Sequence, residues 1–434
     1  MRFKLALLRI VLVCMLALSC GVGLAGRIQP DQVSGDTRGA RPFGSMPVDR
    51  ARSDTYGVRG TGIYTPMYVP PPLMPDRASN APAITTFLVN TNPSSCQGNT
   101  STFPPAALAA LNSAVDTWSV LIVSHQTIEV DACWRPSLPD ATVLADAKPL
   151  HWYWNFTGAP RQDTAYPVAL ANAIADQDLN GIIESEIIIE FNGSISWYYG
   201  TDGQASSTQY DLVSVALHEL GHGLGFVSWM DRDDGAPPTE CNGTAGVGCW
   251  QTPPTVYDRF IKNGAGLTLV DSFANTSAAL GSQLVSNSLF FDGANANAGN
   301  GGTHPRIYAP TTWDPGSSVS HLDTPTYSTT VNALMTHAFG MAQVVHHPGP
   351  IALGVMRDIG WTVPSLDNTY VQAGWVGCQQ GTITCPFSRI GDGVNAASNG
   401  GTVWITPGTY YTKLTVIRTM TLRVNGTGIV VIQP

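Results

Sequence analysis

The segment His218-Glu219-Leu220-Gly221-His222 constrains the fold more than any other part of this chain. Residues four positions apart lie on one face of an α-helix, so the two imidazoles can hold one Zn²⁺ ion if the segment is helical. Glu219 then lies beside the ion as a general base for water, whose pKa zinc lowers towards ~7. The pattern predicts a helix that carries two metal ligands and one catalytic carboxylate.

The limits of this helix can also be predicted. Thr208 and Asp211 form a capping-box pattern, which indicates a start near Thr208. Gly221, Gly223 and Gly225 follow one another closely and favour an end among them.

Two histidines do not complete the site, because a catalytic zinc ion usually has three protein ligands and one open position. The candidates for the third ligand are Asp231, His304, His321, His337, His346 and His347. We favour His321, which lies in a Ser-His-Leu-Asp segment far along the chain from His222.

The order of these motifs resembles a known family. The His-Glu-x-x-His segment is followed by Gly225, a long insertion, the segment around His321 and Asn332-Ala333-Leu334-Met335-Thr336. Over residues 84–362 this order resembles the leishmanolysin-type metzincin peptidases and related secreted bacterial metallopeptidases. The resemblance implies a zinc endopeptidase in which His321 is the third ligand and Met335 forms a turn beneath the metal.

The chain departs from the family pattern at several positions. Leu322 replaces the usual aromatic residue, and His337 follows the methionine turn where proline is common. Ser228 stands where the commonest metzincin pattern has its third histidine, so that shorter pattern is broken. His337 is also a candidate to stabilise the oxyanion of a peptide undergoing hydrolysis.

The fold class expected for the catalytic part is α+β, a metzincin-like domain with a mixed twisted sheet, a helix over 105–122 and the active-site helix as the cleft floor. The segment Ile187-Ile188-Ile189-Glu190-Phe191 reads as a strand. We expect it to be the edge strand over the cleft, where an extended peptide substrate adds as a further strand.

Four regions follow from composition. Residues 1–25 read as a signal peptide with cleavage after Ala25, residues 26–82 as a Pro/Gly-rich linker or pro-region, and residues 83–363 as the zinc peptidase domain. Residues 364–434 read as a small all-β module that resembles the opening turns of a right-handed parallel β-helix, and it is a candidate for contact with a surface polymer. The chain is therefore expected to be secreted, or lipid-anchored at the cell surface through Cys20.

Six cysteines remain after the signal segment, an even number in an exported chain. Six cysteines allow 15 connectivities. The simplest pairing is by proximity: Cys96–Cys133, Cys241–Cys249 and Cys378–Cys385.

Charge and composition exclude other partners. The formal net charge of −9 argues against a nucleic-acid surface, and no apolar run after the signal segment is long enough to span a bilayer. Protein or peptide substrates remain the expected partners. Residues 176–181 resemble the start of a calcium loop, although Ile187 stands at the twelfth position, where a glutamate is required, so Ca²⁺ is a secondary candidate ion.

Two other functions compete with the peptidase. The chain could be an exported adhesion or polymer-binding protein with a degenerate or structural zinc site, or a zinc hydrolase of another bond, such as an amidase acting on cell-wall peptides. Glu219 separates the first of these from an enzyme, because a structural zinc site needs no general base.

Overall fold

The computed structural model describes residues 44–47, 56–72, 85–96, 98–181, 184–235, 241–363, 366–376, 381, 383, 386–414, 416 and 420–433. The strands are β1 (Gly44–Pro47), β2 (Tyr56–Val69), β3 (Phe87–Asn90), β4 (Ile128–Arg135), β5 (Val143–Pro149), β6 (His151–Trp154), β7 (Tyr166–Pro167), β8 (Ile187–Asn192), β9 (Trp197–Tyr198), β10 (Tyr210–Asp211), β11 (Met230–Arg232), β12 (Gly248–Trp250), β13 (Ile261–Asn263), β14 (Leu289–Phe291), β15 (Arg306–Ile307), β16 (Ala338–Val345), β17 (Leu366–Val371), β18 (Ala397–Ile405), β19 (Gly408–Tyr411), β20 (Thr421–Val424) and β21 (Val430–Gln433). The α-helices are α1 (Pro105–Leu121), α2 (Val168–Ala175), α3 (Leu212–Gly223), α4 (Leu269–Ser272), α5 (Ala278–Leu284), α6 (Ala294–Gly299), α7 (Thr324–Tyr327), α8 (Gly349–Ile359) and α9 (Ile390–Ala396).

A six-stranded mixed sheet in the order β16-β2-β5-β8-β4-β3 forms the centre of the fold. Strands β3, β4 and β8 run parallel to one another, while β5 is antiparallel to both β8 and β2. Helices α1 and α3 contact each other, and the indole nitrogen of Trp118 in α1 donates to the carbonyl of Leu217 in α3 at 3.0 Å. The α+β class expected from the sequence is confirmed at this level.

Strand β8 is a central strand, and the expectation that residues 187–191 form the edge of the sheet is wrong. It lies between β5 and β4 and pairs with both. Ile187, Ile189 and Phe191 are fully buried and Ile188 nearly so. A run of apolar residues covered on both faces is typical of a central strand, whereas an edge strand beside water would alternate apolar with polar residues.

Strand β2 lies in the range 26–82 that the sequence assigns to a linker or pro-region, but it is an integral part of the main sheet. Residues 56–59 pair antiparallel with β5, and residues 59–69 pair parallel with β16. Val58 is fully buried in the main core. Residues 56–69 are therefore not a linker, because two neighbouring strands use their backbone groups. Residues 1–25, the expected signal peptide, lie outside the described residues.

Helix α3 carries the His-Glu-x-x-His segment, as expected, but it begins later than Thr208. The first helical residue is Leu212, and the N-cap is Asp211, whose carboxylate accepts a hydrogen bond from the amide of Ser214 at 2.8 Å. The helix ends at Gly223, and Gly225 has a positive φ of 116°, which glycine tolerates and which turns the chain. The predicted end of the helix is confirmed.

The C-terminal part contains a second hydrophobic core, formed by Val371, Phe387, Ile390, Val403 and Ile405 with their neighbours. Its strands pair in parallel, β17-β18-β20 and β19-β21, which is the pairing that a parallel β-helix uses. It is not all-β as expected, because helix α9 lies between β17 and β18.

Two of the three expected disulfides are present. Cys96 bonds to Cys133 and Cys241 bonds to Cys249, with Cα–Cα distances of 5.7 and 5.4 Å. Cys378 and Cys385 lie outside the described residues. No helix in the described part of the chain is both long and apolar enough to cross a membrane.

Candidate metal centre

Three histidine side chains meet at one point inside the protein. His218 and His222 project from α3, and His321 comes from the segment between β15 and α7. Their Nε2 atoms are 3.0 to 3.2 Å apart, and all three side chains are fully buried. Among the described residues, this is the one group whose ligand atoms could hold a metal ion together.

The second ring nitrogen of each histidine is held by a backbone carbonyl. The Nδ1 atoms of His218, His222 and His321 lie 2.6, 2.7 and 2.7 Å from the carbonyl oxygens of Leu334, Phe226 and Ser317. Because a carbonyl oxygen only accepts hydrogen bonds, each Nδ1 carries the proton and each Nε2 presents a lone pair. Three lone pairs therefore converge on one buried point, which is the arrangement that a cation satisfies.

Burial keeps these imidazoles uncharged near neutral pH. It lowers the pKa of His218 and His321 well below the ordinary value, and neighbouring histidine charges add to the effect. Burial also lowers the pKa of His222 to about 4. Neutral imidazole is the form that binds a metal ion, so the three histidines do not have to lose a proton before an ion binds.

Glu219 is fully buried on α3, between the two histidines in sequence. Its Oε1 accepts a hydrogen bond from the backbone amide of Val58 at 3.1 Å, whereas its Oε2 has no hydrogen-bond partner among the described residues. Burial, and next the neighbouring Asp146 carboxyl, raise the pKa of Glu219 well above its ordinary value. Such perturbed carboxyls with an unsatisfied oxygen are common where chemistry takes place.

Met335 lies beneath α3, where its sulfur is the atom nearest to a Cβ that would be added to Gly221. Residues Ala333–Met335 form a tight 3₁₀ turn, and the side chain of Met335 is fully buried. The carbonyl of Met335 accepts a hydrogen bond from the amide of Leu322 at 2.8 Å. Since Leu334 holds His218 and Leu322 follows His321, this turn positions two of the three histidines.

His337 lies beside the three histidines, but its ring nitrogens are not part of the group that could hold a metal ion. Its ring stacks on Tyr308 with centroids 3.9 Å apart, and the centroid distance to His321 is 6.4 Å. Its Nδ1 is 2.6 Å from the hydroxyl oxygen of Thr324. Burial lowers the pKa of His337, while burial and Asp314 raise the pKa of Tyr308 to about 12. Both rings are therefore neutral near pH 7.

The other candidates for the third ligand have different roles. The Nε2 of His346 lies 2.8 Å from Oδ2 of Asp211, and the Nδ1 of His304 lies 2.9 Å from Oδ1 of Asp292. Asp231 lies in β11, paired with β12, and the Nδ1 of His347 accepts the amide of Gly349 at 2.9 Å.

Ser228 links the turn after α3 to the segment that carries His321. Its amide donates to the hydroxyl of Ser320 at 3.1 Å, and its own hydroxyl donates to Asp258 at 2.6 Å. Ser320 directly precedes His321, so Ser228 supports the segment that supplies the third histidine. The buried Asp258 was not predicted, because it stands between Tyr257 and Arg259 and nothing in that segment marks it as buried.

Asp146 is a second acidic residue that sequence reasoning missed. It lies in β5 and is buried, and burial followed by the charge of Glu190 raises its pKa to about 8. The signal available in the sequence was an acid between Ala145 and Ala147 in a strand whose other charged residue is Lys148. Negative charge on Asp146 would disfavour the charged form of the neighbouring Glu219 carboxyl.

The candidate calcium loop is held by one hydrogen bond within the loop and one from helix α2. Asp178 accepts the amide of Gly181 at 2.8 Å, and Asn180 accepts from the side chain of Asn172 at 2.9 Å. Within the residues that the structure describes, the acids of this loop belong to no group that could hold an ion. The described part of the loop is a polar turn before β8.

Comparisons with known proteins add one partial match. A family model described as SPBPB7E8-like matches residues 89–238, a range that contains His218, Glu219 and His222 but ends before His321. No curated protein and no solved structure matches the chain.

Proposed function

We propose that this chain is an exported zinc-dependent endopeptidase of the metzincin type. One observation carries the proposal: three buried Nε2 atoms lie within 3.2 Å of one another, each with its Nδ1 proton committed to a carbonyl. Two disulfides support export, because such bonds persist in oxidising compartments.

The donor set fits zinc better than the other common ions. Zn²⁺ favours imidazole nitrogen, whereas Ca²⁺ and Mg²⁺ favour oxygen ligands. Three histidines, each held at Nδ1 by a backbone carbonyl, would leave one coordination position of the ion open, as catalytic zinc sites do. When bound, Zn²⁺ supplies Lewis-acid chemistry, in that it acidifies water and polarises a carbonyl oxygen.

The chain's own residues would move the protons. Glu219, next to the ligand His218, takes a proton from water at its carboxylate and passes it to the nitrogen that leaves the broken peptide bond. When the Thr324 hydroxyl donates to Nδ1 of His337, the Nε2 of His337 carries a proton. That proton is then available for negative charge that develops on the substrate oxygen.

The same residues weigh against the non-enzymatic alternative. In a structural zinc site four protein ligands fill the coordination shell. Such a site does not require a buried carboxylate next to its ligands. The described residues supply three ligands, and the Oε2 atom of Glu219 is buried without a hydrogen-bond partner among them. These two features favour a hydrolase over an adhesion protein.

The C-terminal module supports a second, separate proposal, contact with a surface polymer. Tyr370 and Trp404 pair in register on neighbouring strands with nearly parallel rings, 12° apart, and the Arg423 guanidinium lies 5.5 Å from the Trp404 ring. Partly exposed aromatic rings offer flat apolar faces to sugars. Trp404→Ala should release the protein from an insoluble polysaccharide that retains the wild type.

The peptidase proposal is tested with Glu219→Gln and casein as the substrate, with Glu184→Gln as the matched control at an exposed glutamate. We expect Glu219→Gln to bind one zinc ion as the wild type does and to lose about 10²- to 10⁴-fold of the chelator-sensitive cleavage. Glu184→Gln should retain activity. Equal cleavage by wild type and Glu219→Gln would refute the mechanism, and cleavage of cell-wall peptides alone would favour the amidase.

A further inference from the structure

The C-terminal module stacks its strands in layers, and one layer has a neighbour on one side only. Strand β20 follows β18 in one sheet and β21 follows β19 in the other, and both pairs are parallel and in register. Among the residues that the structure describes, no further strand pairs with β20 or β21. We call these two strands, residues 421–424 and 430–433, the last rung.

The last rung carries apolar side chains that continue the core of the module. Leu422 and Val424 lie in register with two buried residues of β18, and Ile432 lies in register with the buried Tyr410 of β19. Because side chains alternate between the two faces of a strand, residues in register on neighbouring parallel strands share a face. These three side chains therefore face the core side, yet they are 40, 41 and 38% exposed. The core is open at the last rung.

The opposite end of the stack is closed by the chain itself. Along the other edge of β17, the amide of Phe387 donates to the carbonyl of Tyr370, and the carbonyl of Phe387 accepts from the amide of Gln372, both at 2.8 Å. The amide of Tyr370 donates to the carbonyl of Gly381 at 2.8 Å. The ring of Phe387 is buried in the core of the module. The edge of β17 is therefore covered, whereas the edge of β20 is not.

The open edge lacks the features that usually prevent strand pairing. Edge strands of natural proteins carry proline, lysine or an inward-pointing charge that keeps other strands away. The segments Thr421–Val424 and Val430–Gln433 contain no proline and no lysine, and their one charged residue, Arg423, is in register with Trp404 on the outer face. A polypeptide strand would satisfy both the backbone edge and the apolar side chains, whereas lipid would leave the backbone groups unpaired.

The charge of this region indicates which strand would fit. Residues 393–434 contain Lys413, Arg418 and Arg423 but no acidic residue, whereas the whole chain has a formal net charge of −9. The Arg423 guanidinium lies 5.5 Å from the centre of the Trp404 ring, in a column that begins at Tyr370. A carboxylate on an added strand would extend this column with a charge-assisted hydrogen bond to Arg423.

A second copy of the module is a poorer partner than an acidic strand. If two β20 strands paired antiparallel with Leu422 opposite Val424, Arg423 would lie directly opposite Arg423 of the other copy. Like charges in this position destabilise a strand pair.

We propose that the last rung is an acceptor for an extended strand of another polypeptide, in which one acidic residue lies between two apolar residues. The apolar residues would cover Leu422 and Val424, and the acid would lie beside Arg423. This order is the same in both chain directions, so it holds for a parallel and for an antiparallel partner. The acceptor role concerns the C-terminal module alone and is independent of the proposed peptidase function.

Three labelled peptides test the proposal on the full-length chain. The first is Thr-Thr-Val-Glu-Val-Thr-Thr, the second has Lys in place of Glu, and in the third the Glu and the Val before it exchange places. By fluorescence anisotropy, the wild type should bind the first peptide at least about tenfold more tightly than the other two. Equal binding of all three peptides, or no binding of the first, would overturn the proposal.

Hydrogen exchange shows whether the peptide pairs with the strand edge. With the first peptide at about ten times its Kd, the β20 amides that face the open edge should exchange about tenfold more slowly. Peptide binding without any change at these amides would overturn the strand-pairing geometry.

Leu422→Lys places an inward-pointing charge on the open edge. Because Leu422 is partly exposed, the fold should tolerate the change, and binding of the first peptide should weaken at least about tenfold. Leu267→Lys is the matched control, at a leucine outside the module that is 47% exposed, and it should bind as the wild type does. A folded Leu422→Lys protein with unchanged binding would refute the acceptor site.

Arg423→Glu tests the position of the acid. It should weaken binding of the Glu peptide and strengthen binding of the Lys peptide, each at least about tenfold. Lys413→Glu makes the same change in net charge at an exposed residue outside the last rung, and it should keep the wild-type preference. Equal effects of the two substitutions would show that Arg423 does not select the partner.

Sedimentation with phosphatidylglycerol vesicles distinguishes a strand from a membrane as the partner. We expect the protein to stay in solution while it binds the first peptide. Sedimentation with the vesicles, together with no binding of any peptide, would assign the open edge to a membrane and overturn the proposal.

Discussion

Gly221 and Met335 approach each other so closely that a Cβ atom on residue 221 would lie 2.7 Å from the Met335 sulfur. Gly221 lies between the two histidines of α3, so the methionine packs directly beneath the candidate metal centre. The close contact explains why a glycine, a weak helix former, stands in the last turns of this helix.

Gly221→Ala should therefore destabilise the protein although alanine favours helices. Overpacking lowers the free energy of unfolding by about 1–3 kcal/mol. The higher helix propensity of alanine raises it by up to about 1 kcal/mol. We expect a net loss of roughly 1 kcal/mol in urea unfolding. In a Met335→Ala background the collision is absent, so the same substitution should be neutral or stabilising. Additive effects of the two substitutions would contradict the contact.

His321→Ala should abolish stoichiometric zinc binding, because it removes one of three converging nitrogens. Removing a group that hydrogen-bonds to a ligand histidine lowers metal affinity about 10- to 100-fold. Removing the ligand itself should lower it further. The measurement is zinc content after dialysis against a weak chelator. His304→Ala is the control, since that side chain is 55% exposed and pairs with Asp292. Equal zinc content in both variants would exclude His321 as a ligand.

Asp146→Asn should flatten the dependence of stability on pH. Burial raises the pKa of Asp146 from 3.8 to about 8 in the folded chain. The folded state thus holds this proton more tightly than the unfolded state. The stability it contributes is complete below pH 3.8 and is lost as the pH rises to about 8. Urea unfolding between these limits should show a smaller loss for Asp146→Asn, and parallel curves would contradict this assignment.

Asp211→Ala should destabilise the start of α3. Asp211 caps the helix through Ser214 and also binds the buried His346, so alanine removes a cap and leaves buried donors without their acceptor. The cap contributes about 0.5–2 kcal/mol and an unsatisfied buried group costs about 1–3 kcal/mol. We expect a total loss of about 2–4 kcal/mol in urea unfolding. Thr208→Ala, at the start predicted from sequence, should change stability by less than about 0.5 kcal/mol.

Removal of the Cys96–Cys133 disulfide should affect stability more than removal of Cys241–Cys249. The two bonds join residues 37 and 8 positions apart. Chain-entropy arguments give about 4 kcal/mol for the longer loop and about 2.5 kcal/mol for the shorter one. Paired Cys→Ser variants, compared by urea unfolding at one temperature, test the order. The reverse order would show that native contacts outweigh loop entropy at these bonds.

Local sequence rules predicted the helix that carries the candidate site, because its ligands lie four residues apart on one face. They failed at Thr208, where a capping pattern was present but Asp211 has the partners Ser214 and His346 that fix the start. They also failed for β8, because the apolar character of a strand reports that it is buried but does not report which strands lie beside it.

The sequence by itself predicted two histidines and a glutamate on one helix, two disulfides that the structure contains, and the α+β class. The helix depends on the spacing of its ligands, which is a local property. Only the tertiary structure decided that His321 rather than His346 joins the two histidines, that β5 borders the centre, and that residues 56–59 lie across it. Those relationships join segments separated by many residues, and packing of the whole core, rather than any local preference, brings them together.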